Sequence, residues 1–237
     1  MQPQAGHDVE VGIRAISFDA DQTLWDFQGV YRKAIDATVA AMIDRGYVAA
    51  DRVDAPALTA VRDEVLARFR GGPHSLEDVR ERSFAVFLER AGCVDFETAA
   101  SSLTDLYMQV RFDAIELYPE VQASLHRIKQ RYPIGLVTNG NTHPDRCGLP
   151  NTFDAQVMGP EHGFEKPDPR AFTALADQLG VDTRHLVHVG DGHDDIEGAN
   201  AVGATSVLIV RSGAVPAWAA DADHQVSNLE ELESLLP

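Results

Sequence analysis

Apolar and polar positions follow two rhythms along the 237 residues. Ile13 to Phe18 is a short apolar run bounded by polar residues, the pattern of a buried strand. Comparable runs recur at Pro133–Asn139, Ala155–Met158, His185–Val189 and Thr205–Val210. Between these later runs the period shifts to three and four, which predicts helices over 119–131, 169–179 and 194–202, with a short amphipathic helix at 229–236. Strands alternating with helices of this length predict βαβ units and a parallel sheet.

One stretch breaks that alternation. Val30, Ala34, Ala37, Ala41 and Met42 set out a helix over 27–46, and Leu58, Val61, Val65, Leu66 and Phe69 a second over 56–70, ended by Gly71-Gly72-Pro73. Ser75 with Asp78 three residues on has the spacing of a capping box. The helix it starts buries Val79, Phe84, Phe87 and Leu88 and stops at Gly92, and a fourth helix fits 96–113. Residues 27–113 therefore form an all-helical insertion after the first strand. The predicted division is an α/β core domain of residues 1–26 and 114–237 with a helical domain of residues 27–113.

Composition narrows the partners. An apolar fraction of 44% and a charged fraction of 24% are those of an ordinary globular chain. The net charge of −17 repels polyanions, so neither nucleic acid nor an anionic membrane is an expected partner. Any phosphate substrate must then be drawn in by a local cation rather than by the protein as a whole. Cys93 and Cys147 have neither CxxC nor zinc-ligand spacing, Met1 to Gly12 lack a charged-then-apolar pattern, and no apolar run is long enough for a bilayer. Together these features predict a cytoplasmic protein.

The candidate chemistry sits where the strands end. The first strand runs into Asp19-Ala20-Asp21, and a period of two sends both carboxylates to one side. The second ends in Thr138-Asn139-Gly140, either an anion cradle or a plain turn. Lys166, stiffened by Pro167 and Pro169, offers a point cation or a surface charge before a helix. The fourth ends with Asp191, Asp194 and Asp195 within five residues. Such crowding is costly without a cation, and hard divalent cations take oxygen ligands, although helix capping accounts for one of the three. In a parallel sheet all these ends share one edge, where open α/β sheets bind ligands.

In order and kind, these residues resemble the four motifs of the haloacid dehalogenase superfamily: Phe18 to Leu24, Leu136 to Gly140, Lys166-Pro167-Asp168, and Gly190 to Asp195. The resemblance covers nearly the whole chain and implies a Rossmann-like core with a helical cap, in the phosphatase branch, acting as a monomer or small homo-oligomer on a small phosphorylated metabolite such as a sugar phosphate or nucleoside monophosphate. It implies Asp19 as nucleophile through an aspartyl-phosphate, Asp21 as acid and then base, and Lys166 as the charge offset. Thr138 and Asn139 would hold phosphoryl oxygens. Mg²⁺ would bind Asp19, the Asp21 main-chain carbonyl and Asp191, with Asp195 acting through water or by orienting Asp191. The dehalogenase branch resembles Asp-x-Tyr, with no second carboxylate, so Asp21 favours phosphate chemistry: a halide leaves without a proton. Phosphonate hydrolysis in the superfamily uses a cap lysine, and residues 34–113 contain none. A phosphomutase, a 2-haloacid dehalogenase or a non-catalytic binding module are the alternatives.

Two features depart from the family pattern. Asp194 stands where Asn is common, and the stretch from Asn139 to Phe153 is short, with Pro144 and Pro150 and little helical pattern. His143 and Arg146 in that stretch, and Arg68, Arg70, His74 and Arg82 in the insertion, are candidates for touching substrate. Trp25 and Phe27 are candidates for stacking on it or for packing at the hinge into the insertion.

Overall fold

The computed structural model describes residues 12–69, 71–211 and 213–237. Arg70 and the polar residues Met1 to Val11 lie outside them. Six strands form one sheet: β1 (Ala15–Phe18), β2 (Ile134–Thr138), β3 (Ala155–Met158), β4 (Leu186–Gly190), β5 (Thr205–Ile209) and β6 (His224–Val226). Their order is β3-β2-β1-β4-β5-β6, and every neighbouring pair is parallel. β1, β2 and β4 are buried at every position, as their unbroken apolar runs require. The winding reverses at β1, with β2 on one side and β4 on the other, which opens a crevice at the ends of these three strands.

Both faces of the sheet are covered. On one, Ile16, Leu136, Val187 and Val207 meet Val121 and Leu125 of α5 (Val121–Lys129) and Leu229 and Leu232 of α9 (Leu229–Leu235). On the other, Val137, Val157 and Leu186 pack against Phe172 and Leu175 of α7 (Pro169–Leu179). α8 (His193–Ala201) follows β4 directly, and α6 (Gly159–His162) is a single turn after β3.

The four helices between β1 and β2 build a second apolar cluster of their own. They are α1 (Phe27–Asp44), α2 (Ala55–Leu66), α3 (Leu76–Ala91) and α4 (Phe96–Asp113), and they enclose Ile35, Met42, Leu58, Phe84, Leu88, Leu103 and Tyr107. Three start at a side-chain cap: Asp26 accepts from the Gly29 N–H, Asp54 from Ala57 and Ser75 from Asp78. Two of the ties that join this block to the sheet are backbone hydrogen bonds. The Tyr118 N–H donates to the Leu24 carbonyl at 3.0 Å, so the outgoing and returning segments run together. The His74 N–H donates to the Pro160 carbonyl at 2.8 Å, and Pro73 packs so closely on Gly163 that a Cβ there would sit 2.8 Å from its ring.

Differences from the sequence expectations are local. α2 stops at Leu66, and Ala67 to Phe69 continue only as a turn toward Gly71-Gly72. β6 went unpredicted because it is three residues long at the sheet edge, with His224 and Gln225 exposed. Between Asn139 and Phe153 the chain makes a 3₁₀ turn at Pro144–Cys147, as the prolines imply.

Phe172 is wholly buried between α7 and the sheet, with its ring edge-on to His188 at 4.8 Å. Phe172→Ala is expected to lower the unfolding free energy in urea by about 3–5 kcal/mol; a loss below about 1 kcal/mol would contradict this packing.

Candidate active site

The crevice at β1 collects charge from four places. Asp19 leaves the end of β1, with its N–H donated to the Val189 carbonyl at 2.8 Å. Lys166 comes from the loop before α7 and is only 5% exposed. Its Nζ donates to Asp19 Oδ1 at 2.5 Å and to Asp195 Oδ1 at 2.6 Å. Asp195, in the first turn of α8, also accepts the Gly192 N–H at 3.0 Å and faces His188 Nε2 at 2.9 Å. The carboxyl of Asp195 lies against Gly190, where any Cβ would collide with it. A side chain at that position is therefore excluded.

Beneath this group, Ser17 and His188 are register partners on β1 and β4, and the Ser17 hydroxyl is 2.8 Å from His188 Nδ1. Burial holds His188 below the usual imidazole range, so the ring is neutral. Nε2, facing a carboxylate, then carries the proton, and Nδ1 accepts from Ser17.

Asp21 stands beside Asp19 on the crevice wall. Its Oδ1 accepts the Trp25 indole N–H at 2.9 Å, and its Oδ2 lies near Gly140. Thr138 ends β2, and its hydroxyl accepts the Gly140 N–H at 3.0 Å. The Asn139 side chain donates to the Lys166 carbonyl at 2.9 Å and to Asp194 at 3.1 Å, and accepts the Lys166 N–H at 2.7 Å. It thus clamps the lysine loop to the end of β2. Asp194, where Asn is common in the motif, is part of that clamp.

The electrostatics follow from crowding. Burial raises the Asp19 carboxyl well above its ordinary value; Lys166 opposes this, while Asp195, Asp191 and Asp21 add to it. Burial, aided by Asp195, pushes Asp191 up to about 7. Asp21 is raised by burial against the pull of Arg111 and the Trp25 N–H. Burial also disfavours an ionised Asp195, but Lys166 and His188 hold it well below the usual carboxylate range. Burial works against the Lys166 charge as well, yet Asp19 and Asp195 keep it an ammonium far above neutral pH.

Carboxylate oxygens of Asp19, Asp191 and Asp195 lie within 4.8 Å of one another. An all-oxygen donor set with surplus negative charge and one shared ammonium fits a hard divalent cation.

A cavity of about 790 Å³ lies over these groups, between the sheet edge and helices α1 to α4. It brings together Asp19, Asp21, Thr138, Asn139, Lys166, Asp191 and Asp195, every site residue the motifs single out. Phe27 lines it, whereas Trp25 is buried at the hinge. The other candidates lie elsewhere. Arg68 is exposed and pairs with Glu64, and Arg82 is exposed above the Phe69 ring. His74 docks on the α6 turn, His143 pairs with Glu161 at 3.7 Å, and Arg146 covers the Phe112 ring. In their place the helices present Arg32, Arg62, Arg80 and Arg111 to the cavity. A signal for two of them was available: Arg80 shares a helical face with Phe84 and Phe87, and Arg111 with Thr104, Tyr107 and Met108.

The profile of the haloacid dehalogenase-like hydrolases matches residues 13–203. A glyceraldehyde 3-phosphate phosphatase from Methanopyrus kandleri is 30% identical over 206 residues, 84% of each chain. An N-acylneuraminate-9-phosphatase from Rattus norvegicus is 30% identical over 235 residues, 94% of each chain. The crystal structure of a 2-haloacid dehalogenase from Pseudomonas syringae pv. Tomato DC3000 superposes with a TM-score of 0.79 at 26% identity, covering 94% of this chain and 97% of the other. With the motif residues converging on one crevice, these matches establish that the chain belongs to the haloacid dehalogenase-like hydrolases.

Proposed function

We propose that this hydrolase is a Mg²⁺-dependent phosphatase of a small phosphate monoester, with Asp19 as nucleophile and Asp21 as acid and base. The observation that carries the reading is the second carboxylate. Asp21 shares the cavity wall with Asp19, and the Trp25 indole N–H holds its Oδ1. Halide displacement needs no proton donor, whereas an alkoxide leaving group does. The named phosphatases among the relatives support the same branch.

Asp19 attacks phosphorus with a carboxylate oxygen while Lys166 fixes that carboxylate and offsets the charge of the two approaching anions. The bond from phosphorus to the leaving oxygen breaks, and that oxygen takes the proton of Asp21. The resulting Asp21 carboxylate then removes a proton from water, the water oxygen attacks phosphorus, and the bond to Asp19 breaks to release phosphate. Burial keeps Asp21 raised, as a group that must give and then regain a proton requires. The Thr138 hydroxyl and the main chain of Asn139 hold phosphoryl oxygens.

Asp19, Asp191 and the main-chain carbonyl of Asp21 would hold Mg²⁺, which when bound draws charge from the phosphoryl oxygens. Asp195 already serves Lys166, His188 and Gly192, so it acts through water or by orienting Asp191. Residues 27–113 act in this reading as a cap that excludes water from the core formed by residues 1–26 and 114–237. No helix among the described residues is long and apolar enough to cross a membrane. Both cysteines are free, which supports a cytoplasmic setting.

The similarity to a solved 2-haloacid dehalogenase makes halide displacement the second reading. The purified protein is expected to hydrolyse p-nitrophenyl phosphate with Mg²⁺ and to lose that turnover in EDTA. Asp19→Asn is expected to lower kcat by roughly 10³-fold or more. Halide release from 2-chloropropionate without metal, with the phosphate ester left intact, would reverse the assignment.

Asp191 gives a second check. Its carboxyl is pushed up to about 7, so the folded state favours its protonated form. That advantage is whole below the ordinary carboxylate pKa and is gone above about pH 7. Melts in EDTA should show Asp191→Asn above wild type by about 2–6 °C at pH 8 and near it at pH 4. Equal gaps at the two pH values would contradict the crowding.

A further inference from the structure

The catalytic groups account for one end of the cavity, and the helical wall opposite carries a charge that they do not use. In a chain of net charge −17, the parts of that wall supplied by residues 27–113 include Arg32, Arg62, Arg80 and Arg111 against a single carboxylate, Asp36. Arg111 is committed, since it donates to the Asn141 side chain and the Thr142 hydroxyl and lowers the Asp21 carboxyl. Arg62 has Asp63 beside it at 3.0 Å, and Arg32 is exposed.

Arg62 and Arg111 each also hold a buried Nε without a hydrogen-bond partner among the described residues, but Arg62 has its carboxylate and Arg111 two side-chain acceptors, whereas Arg80 has neither. Arg80 is 9% exposed, and no carboxylate lies within 4.0 Å of it among the described residues. Its Nη1 is buried without a hydrogen-bond partner among those residues, and its Nη2 reaches only the Tyr107 hydroxyl, at 3.5 Å. The guanidinium rests on the Tyr107 ring at 4.5 Å and near the Tyr31 and Phe84 rings at 5.9 and 5.8 Å. Ring faces steady a cation but supply no acceptor for its N–H groups. A buried guanidinium with no counter-ion and a single long hydrogen bond is unfavourable alone, and a planar fork of donors suits an oxyanion.

We infer that Arg80 is the recognition site for a second anionic group, carboxylate or phosphate, carried on the leaving-group side of the substrate. This rests on the phosphatase reading: the scissile phosphate sits at Asp19, and the substrate spans from there to the cap wall. Tyr31, Val79 and Tyr107 line the interval and give a carbon skeleton an apolar passage. Arg80 is a specificity residue, and it takes no part in bond making at phosphorus.

Four esters test the idea with wild type, Arg80→Lys and Arg80→Gln: 3-phosphoglycerate bears a carboxylate, fructose 1,6-bisphosphate a second phosphate, and glycerol 3-phosphate and p-nitrophenyl phosphate neither. In wild type at least one anion-bearing ester is expected to exceed glycerol 3-phosphate in kcat/KM by about 10-fold or more. Arg80→Gln is expected to remove roughly 10- to 100-fold of that preference, mostly in KM, and Arg80→Lys to keep part of it. p-Nitrophenyl phosphate turnover stays within about twofold of wild type in both variants, which also reports correct folding. Equal wild-type kcat/KM for all four esters, or one uniform loss across them in both variants, overturns the subsite. Should Arg80→Gln fail to fold, the wild-type preference and the Arg80→Lys variant decide. If wild type turns over no ester at all, the phosphatase reading fails by itself. The subsite is then judged from melting temperatures, where 3-phosphoglycerate or fructose 1,6-bisphosphate must stabilise wild type more than Arg80→Lys, and equal shifts overturn it.

Discussion

Two buried carboxylates share one buried ammonium, and the arrangement of the crevice depends on that sharing. Removing a lysine and two aspartates from water costs several kcal/mol for each ion unless their partners are well placed. Lys166 meets Asp19 and Asp195 at 2.5 and 2.6 Å, and His188 adds a neutral donor to Asp195. The lysine is satisfied, Asp195 is satisfied more fully, and Asp19 is left with the smaller share. That inequality separates their roles. In the proposed mechanism Asp195, the better paired, stays ionised and in place, while Asp19, the proposed nucleophile, keeps electron density for attack.

The fold supplies each member of this cluster from a different element, so residues distant in sequence meet at one crevice. β1 contributes Asp19, β2 leads to the Asn139 clamp, the loop before α7 brings Lys166, and α8 presents Asp195 in its first turn. The helical insertion leaves the sheet at the tip of β1, beside Asp19 and Asp21. Its return segment runs next to its departure, through the Tyr118–Leu24 hydrogen bond. A block anchored so close to Asp21 can roof the crevice while keeping its own apolar cluster intact. Trp25 belongs to both parts, since it is buried in the hinge and donates to the Asp21 carboxyl.

Much of this was legible in the residue order, for reasons that differ by element. Buried parallel strands announce themselves by unbroken apolar runs, and α3 by its Ser75 cap and Gly92 stop. The Asp19, Thr138 and Asp191 positions were legible because polar residues ending apolar runs must share one sheet edge, and Lys166 because Pro167 and Pro169 stiffen its loop before a helix. The pairing of Ser17 with His188 was not, because it is a register match between strands 171 positions apart. Arg80 and Arg111 were hidden by expectation: charged residues on amphipathic helices usually face water, and these two fall on the inward face. Arg68, His74 and Arg82 near the Gly71-Gly72 break misled for the opposite reason. A glycine break looks like a mobile edge over the site, whereas here the loop that follows it docks on the α6 turn.

The central claim is that Asp19 becomes covalently phosphorylated. Asp21→Asn should let the intermediate accumulate from p-nitrophenyl phosphate, whose leaving group needs no proton, because the carboxylate that activates water is gone. Quenching that variant during turnover, reducing with borohydride and sequencing the peptide should convert position 19, and no other, to homoserine. Unmodified aspartate at 19 despite continuing phosphate release, or homoserine at another aspartate, would contradict the account.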